Sequence, residues 1–311
     1  MLDVQLKRML AAVAESGAPD LGDLPPAPAR EMYRQILAAG DLPPADVAVA
    51  DRLIDGPASP LALRIYTPHT ATAGCGVVLY CHGGGFVLGD LDAYDSVCRT
   101  LCRESDCVVV SVDYRLAPEH PFPAAVDDCY ATLCWLAAHA VELGGNPQRL
   151  AVCGDSAGGN LAAVLSLLAR ETGPAIRYQV LIYPVTSASF GDLSSHREFG
   201  EGYVLSAKAM QSFSRHYFGA AAKAPDFRGA PILADDLSGL PPALVLVGAY
   251  DALRDDGISY AEAMIAAGVP VTLVEYKGLS HGFISMASFL TGGRLALAQV
   301  AAALRHALAA V

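Results

Sequence analysis

The segment Gly154-Asp155-Ser156-Ala157-Gly158 lies between an apolar run, Leu150 to Cys153, and an alanine- and leucine-rich helical pattern from Ala157 to Ala169. A serine on so sharp a strand-to-helix turn is pushed into strained backbone space. Glycines two residues to either side are then needed, because a Cβ there would collide with the turn. The pattern predicts a strand, a tight elbow and a helix, with Ser156 Oγ held over the helix N-terminus. Free N–H groups and the helix dipole favour developing negative charge at that place. A Gly-x-Ser-x-Gly string alone also fits an ordinary glycine-rich turn; the strand before it and the helix after it favour a nucleophile elbow.

Along the rest of the chain, strands and helices alternate. Strand patterns run near Val47 to Ile54, Leu61 to Tyr66, Val77 to Cys81, Cys107 to Asp113, Leu150 to Cys153, Gln179 to Tyr183, Leu244 to Val247 and Val271 to Tyr276. Helical patterns cover Tyr94 to Arg103, Ala124 to Ala138, Ala157 to Ala169, Ser259 to Ala267 and Leu295 to Ala309. Such alternation predicts an α/β fold, a mostly parallel eight-stranded sheet with helices on both faces and an antiparallel edge where Gly56-Pro57 joins the first two strands. Ligands in such sheets bind at the carboxyl ends of the strands.

Three more segments stand at strand ends. His82-Gly83-Gly84-Gly85-Phe86 follows the apolar strand Val77 to Cys81. Consecutive glycines let backbone N–H groups turn inward, so Gly83, Gly84 and Gly85, with Ala157, are candidates to hold the oxygen of a tetrahedral intermediate. A phosphate-cradling loop fits less well, because no Lys-Ser/Thr follows the glycines. His82 is expected to orient the loop through its ring N–H. Asp251 ends the strand Ala243 to Gly248 and suits a carboxylate that accepts a histidine Nδ1–H; Asp255 and Asp256 are its competitors, with capping as their alternative role. His281, in Gly278-Leu279-Ser280-His281-Gly282-Phe283, lies just past the last strand. Its reference pKa of about 6.5 suits a group that takes a proton and returns it, and predicts activity rising toward neutral and alkaline pH. His69, His120, His139, His196, His216 and His306 are left as surface or structural residues.

The order Ser156, Asp251, His281 is the α/β-hydrolase order. With Asp113-Tyr114-Arg115-Leu116-Ala117-Pro118-Glu119, Gly154 to Asn160, Asp251 to Asp255 and His281-Gly282-Phe283, the chain resembles the hormone-sensitive-lipase-like esterases, the bacterial type IV carboxylesterases, over nearly its whole length. The resemblance implies the α/β-hydrolase fold and an esterase with Ser156 as nucleophile, His281 as base and Asp251 as its orienter. It also implies an oxyanion hole from the N–H groups of Gly84, Gly85 and Ala157, and a buried structural cluster of Asp113, Arg115 and Glu119. No metal or organic cofactor is implied.

Two stretches break the alternation. Residues 1 to about 44 hold helical patterns at Val4 to Val13 and Arg30 to Ala39 around Leu24-Pro25-Pro26-Ala27-Pro28, and about 187 to 230 hold a third, Ser206 to Phe218. By the resemblance they form a cap on a single hydrolase domain spanning 1–311. Met210 and Phe213 match positions lining the family's acyl pocket, and Tyr33, Ile36 and Leu37 are candidate walls; a purely structural role between cap and core fits each of them equally. The expected substrates are short- to medium-chain acyl esters. Amides and lactones suit the same machinery, and a non-catalytic ligand-binding role is disfavoured by the presence of all three site residues.

Composition narrows the partners. The 311 residues are 53% hydrophobic and carry a net charge of −11, with no basic tract, which argues against nucleic acid and anionic membrane surfaces. The eight cysteines sit mostly within apolar patterns and read as buried small hydrophobes, without metal-ligand spacing. Asp3, Lys7, Arg8 and Glu15 interrupt any signal-peptide core, and no apolar run reaches a membrane span of about 20 residues, so a cytoplasmic location is expected. Val271 to Tyr276 and Leu295 to Ala309 are the candidate homodimer edge, and their apolar residues serve the core equally well.

Overall fold

The computed structural model describes residues 1–309. In chain order the strands are β1 (Ala48–Ile54), β2 (Leu61–Thr67), β3 (Cys75–Cys81), β4 (Val108–Val112), β5 (Gly145–Asp155), β6 (Tyr178–Ile182), β7 (Ala243–Gly248) and β8 (Val271–Tyr276). The α-helices are α1 (Val4–Ser16), α2 (Pro26–Gly40), α3 (Asp95–Ser105), α4 (Ala124–His139), α5 (Ala157–Thr172), α6 (Ser194–Glu198), α7 (Ala207–Phe218), α8 (Arg254–Ala266) and α9 (Thr291–Ala307). They build the α/β-hydrolase fold: one eight-stranded sheet in the order β1-β2-β4-β3-β5-β6-β7-β8. β2 runs antiparallel to both β1 and β4, and every later pairing is parallel.

Period-two side-chain alternation divides the core. Val77, Leu79 and Cys81 of β3 face one layer with Val126 and Cys129 of α4, Leu161 and Val164 of α5 and Tyr260 of α8. Val78 and Tyr80 face the other, with Val97 and Leu101 of α3 and Leu297 and Val300 of α9. All seven β3 residues are buried, as expected for a central parallel strand covered on both sides. Burying one such Leu or Val side chain is worth about 1.5–3 kcal/mol, so the two layers supply the main driving force for the fold.

Several boundaries differ from the sequence expectation. β5 begins at Gly145 because that residue pairs with Cys75 ahead of the regular register. α8 begins at Arg254, five positions early, with Asp255 and Asp256 in its first turn, where carboxylates suit the helix dipole. α9 already includes Gly292 and Gly293. A glycine weakens a helix in isolation, but a Cβ at Gly293 would stand 2.2 Å from the Phe283 carbonyl oxygen, so packing demands it. The supposed buried cluster of Asp113, Arg115 and Glu119 is absent: Asp113 and Glu119 are exposed. Arg115 instead pairs with buried Asp128 at 2.7 Å, and Glu119 pairs with Arg30 of α2 at 2.6 Å. Seven of the eight cysteines are buried free thiols; Cys134 is the exposed one.

Residues 1–44 and 187–230 lie outside the sheet-and-helix alternation and touch each other. A 3₁₀ turn at Leu21–Asp23 packs on α7 so tightly that a Cβ at Gly22 would sit 2.7 Å from the Ala209 backbone, and Asp23 pairs with Lys208 at 2.9 Å. Among the described residues, no helix is long and apolar enough to cross a membrane.

Candidate active site

Ser156 stands between β5 and α5 with φ 56° and ψ −118°, a region non-glycine residues rarely occupy. The flanking glycines make this elbow sterically feasible. A Cβ at Gly158 would lie 1.9 Å from the Cys81 carbonyl oxygen, and one at Gly154 would lie 2.2 Å from the Gly158 carbonyl oxygen. The Ser156 N–H donates to the Ile182 carbonyl at 2.8 Å and so ties the elbow to β6.

The loops after β7 and β8 bring two further residues to the serine. Ser156 Oγ is 2.9 Å from His281 Nε2, and His281 Nδ1 is 2.9 Å from Asp251 Oδ2. Asp251 is fully buried, and its Oδ1 accepts the Leu253 N–H at 2.8 Å, which fixes the carboxylate's rotation. A carboxylate only accepts, so Nδ1 carries the ring proton and Nε2 presents its lone pair to the Ser156 hydroxyl. Tyr183, on β6's exit, packs its ring 4.6 Å from the His281 ring. Asp255 and Asp256 lie away from this line. Asp256 is buried, accepts the N–H groups of Thr186 and Ser187, and meets His196 Nε2 at 2.7 Å. It is thus a structural partner, where the sequence suggested a helix cap.

The glycine loop after β3 reaches the same place. Gly84 and Gly85 have φ of 107° and 63°, which lets the loop turn on itself. Among the described residues, no group accepts the N–H of Gly84, Gly85 or Ala157. Gly83 departs from the expectation. Its N–H is committed to Asp155 Oδ1 at 3.0 Å, so it is not available to a reacting oxygen. His82 Nδ1 lies 2.8 Å from the Gly83 carbonyl, and the ring is stacked between Tyr94 and Tyr114. Burial pushes the imidazole down to about 4, so it stays neutral, donating from Nδ1.

Asp155 had no role in the sequence pattern beyond its place in the elbow. Its carboxylate is buried and accepts from the Tyr80 hydroxyl at 2.7 Å, the Tyr94 hydroxyl at 3.2 Å and the Gly83 N–H. Burial nonetheless raises its carboxyl to about 6, partly offset by those donors.

Ser156 and His281 open on a cavity of about 340 Å³. Met210 and Phe213 of α7 and Tyr33, Ile36 and Leu37 of α2 all line it. Its other walls include residues of the N-terminal segment from Val13 to Met32, of 187–206 and of the glycine loop.

An elbow serine in contact with a histidine–aspartate pair, at the carboxyl ends of a mostly parallel sheet, defines an α/β hydrolase. The chain belongs to the hormone-sensitive-lipase-like branch of that family, and the model of the alpha/beta hydrolase fold matches residues 78–285. It is 48% identical over 246 residues to the esterase LipI of Mycobacterium tuberculosis, covering 78% of this chain and 77% of that one. It is 44% identical over 289 residues to the carboxylic ester hydrolase LipN of the same organism, covering 91% and 76%. Among solved structures, it superposes on a hyperthermophilic esterase from the archaeon Pyrobaculum calidifontis with a TM-score of 0.92, 41% identity and 99% coverage of both chains.

Proposed function

We propose that this carboxylic ester hydrolase works through a covalent acyl-enzyme. Ser156 attacks the ester carbonyl, His281 Nε2 takes the hydroxyl proton and returns it to the leaving alcohol, and Asp251 holds the imidazole and stabilises its charged form. The Gly84, Gly85 and Ala157 N–H groups stabilise the oxyanion, aided by the N-terminus of α5. Water then enters by the same route, with His281 as base, and releases the acid. The observation that carries this reading is the continuous line from Ser156 Oγ through His281 to Asp251, with both contacts at 2.9 Å, at the floor of the cavity.

Residues 1–44 and 187–230 serve as the cap of this site. They supply most of the cavity's apolar wall, which excludes bulk water from the oxyanion and receives the acyl chain. A cavity of about 340 Å³ suits short- to medium-chain acyl esters.

The test is hydrolysis of p-nitrophenyl acetate, butyrate, octanoate and palmitate by the protein and its Ser156→Ala variant. Activity highest on acetate to octanoate and lost in the variant is expected. A folded wild type inactive on every ester, or a variant that retains turnover, would overturn the assignment.

A further inference from the structure

Resting on the assignment of Ser156 as nucleophile, we propose that Tyr33 is a positioning residue for the oxyanion loop. Its hydroxyl starts a one-directional hydrogen-bond chain, Tyr33 to Tyr94 to Asp155, that fixes the Gly83 N–H and with it the two glycines that follow.

The direction of the chain follows from its end. The Asp155 carboxylate takes the Gly83 N–H and the Tyr80 hydroxyl on Oδ1 and the Tyr94 hydroxyl on Oδ2. A carboxylate has no proton to give, so Tyr94's proton is committed to Asp155. The Tyr94 oxygen, 2.8 Å from the Tyr33 oxygen, is therefore the acceptor of that pair, and Tyr33 donates. Each donor polarises the next, which strengthens the carboxylate's end of the chain. Burial pushes the Asp155 carboxyl up to about 6, so the charge depends on these donors near neutral pH. A charged acceptor holds the Gly83 amide more firmly than a neutral one.

The loop has little freedom to compensate. A Cβ at Gly83 would stand 2.4 Å from Asp155 Oδ2 and 2.8 Å from the Tyr94 hydroxyl, so the backbone lies directly against both. Helix α2 grips the same loop a second time. Arg30 Nε donates to the Val87 carbonyl at 2.8 Å, and Arg30 Nη2 donates to the Ala117 carbonyl at 3.0 Å. Arg34 pairs with Asp90 just beyond. Tyr33 thus connects a helix of the N-terminal segment to the amide that precedes the Gly84 and Gly85 donors. Its ring lines the cavity, but its hydroxyl is spent on Tyr94.

The experiment compares Tyr33→Phe, Tyr94→Phe and the double variant on p-nitrophenyl acetate and octanoate, with thermal melting as the check on folding. Each single change is expected to lower kcat about tenfold with KM within about twofold, equally for both esters, a fraction of the loss from deleting an oxyanion donor outright. Because the hydroxyls act in series, the double variant is expected to be no worse than Tyr94→Phe alone. Unchanged kcat, a change confined to KM that grows with acyl length, or additive losses would overturn the proposal. Should Tyr94→Phe fail to fold, Tyr33→Phe decides by its rate of labelling with a fluorophosphonate, which is expected to fall in step with kcat. A wild type labelled at Ser156 with an unaltered rate in Tyr33→Phe would overturn the relay alone. A wild type not labelled at Ser156 would overturn the nucleophile assignment itself.

Discussion

The Phe213 ring of α7 lies against the Cα of Gly85 so closely that a Cβ added at Gly85 would stand 2.4 Å from its Cδ2. A helix of the 187–230 segment therefore rests directly on the glycine loop. Gly85 is further restricted by its φ of 63°, where a side chain is strained.

Gly85→Ala is expected to lower kcat by about 100-fold or more, the scale of losing one oxyanion donor. Adding Phe213→Ala to it should restore part of the loss by vacating the contested space. No recovery in the double variant, with both proteins folded, would show that backbone strain alone is responsible.

Met210 is buried beside the cavity, in a small cluster with Phe199, Ala252 and Leu253. Met210→Ala should move the preferred acyl chain to greater length and leave acetate turnover within about twofold, since one missing stretch of pocket wall is worth only about 1–3 kcal/mol. A profile over p-nitrophenyl acetate to palmitate measures this, and an unaltered length preference would count against Met210 as a wall of the acyl pocket.

His196 and Asp256 form a buried pair that secures the segment entering 187–230. His196 Nδ1 accepts the Gly191 N–H at 3.0 Å, so the ring proton sits on Nε2 and points to Asp256. Asp256→Ala would strand that donor together with the Thr186 and Ser187 amides. A loss of about 3 kcal/mol or more in urea denaturation at pH 7 is expected, as each stranded buried donor costs about 1–3 kcal/mol. A loss below about 1 kcal/mol would mean that water or a rearranged loop satisfies these groups.

Two buried groups at the site pull the stability in opposite directions with pH. His82 is held down to about 4, below its ordinary 6.5, so the unfolded chain takes the proton first and stability falls as pH drops through that window. Asp155 is held up to about 6, above its ordinary 3.8, so the folded chain takes the proton first and gains stability as pH drops from about 6. Asp155→Asn removes only the gain. Its melting temperature should therefore fall more steeply between pH 6.5 and pH 4 than that of the wild type, and equal slopes in a melting series would contradict the opposing assignment.

The fold was largely legible because its signals are local. Continuous apolar runs mark β3 and β4, as central strands covered on both faces require, and the glycine spacing around Ser156 marks the elbow, since the colliding atoms belong to residues a few positions away or to the adjoining strand. Where glycines weakened a helical pattern, as at Gly292 and Gly293, the boundary was lost, because the reason for Gly293 is a carbonyl ten residues earlier at Phe283. The residues of the glycine loop alone offered three candidate donors, and only the family resemblance singled out Gly84 and Gly85. Nothing in its own residues tells that Gly83 alone turns its amide to Asp155, a residue 72 positions away.

The sequence by itself determined the order of strands and helices, the strained turn at Ser156 and the placing of Asp251 and His281 just past strand ends, because backbone propensity and steric limits act between neighbours in the chain. Only the tertiary structure decided the partners of Asp155, the link from Tyr33 through Tyr94 and the pairing of His196 with Asp256. Those contacts join residues 60 to 75 positions apart. They exist only once separate elements have packed, and packing is driven by non-directional apolar burial that leaves no local trace of which polar groups will meet.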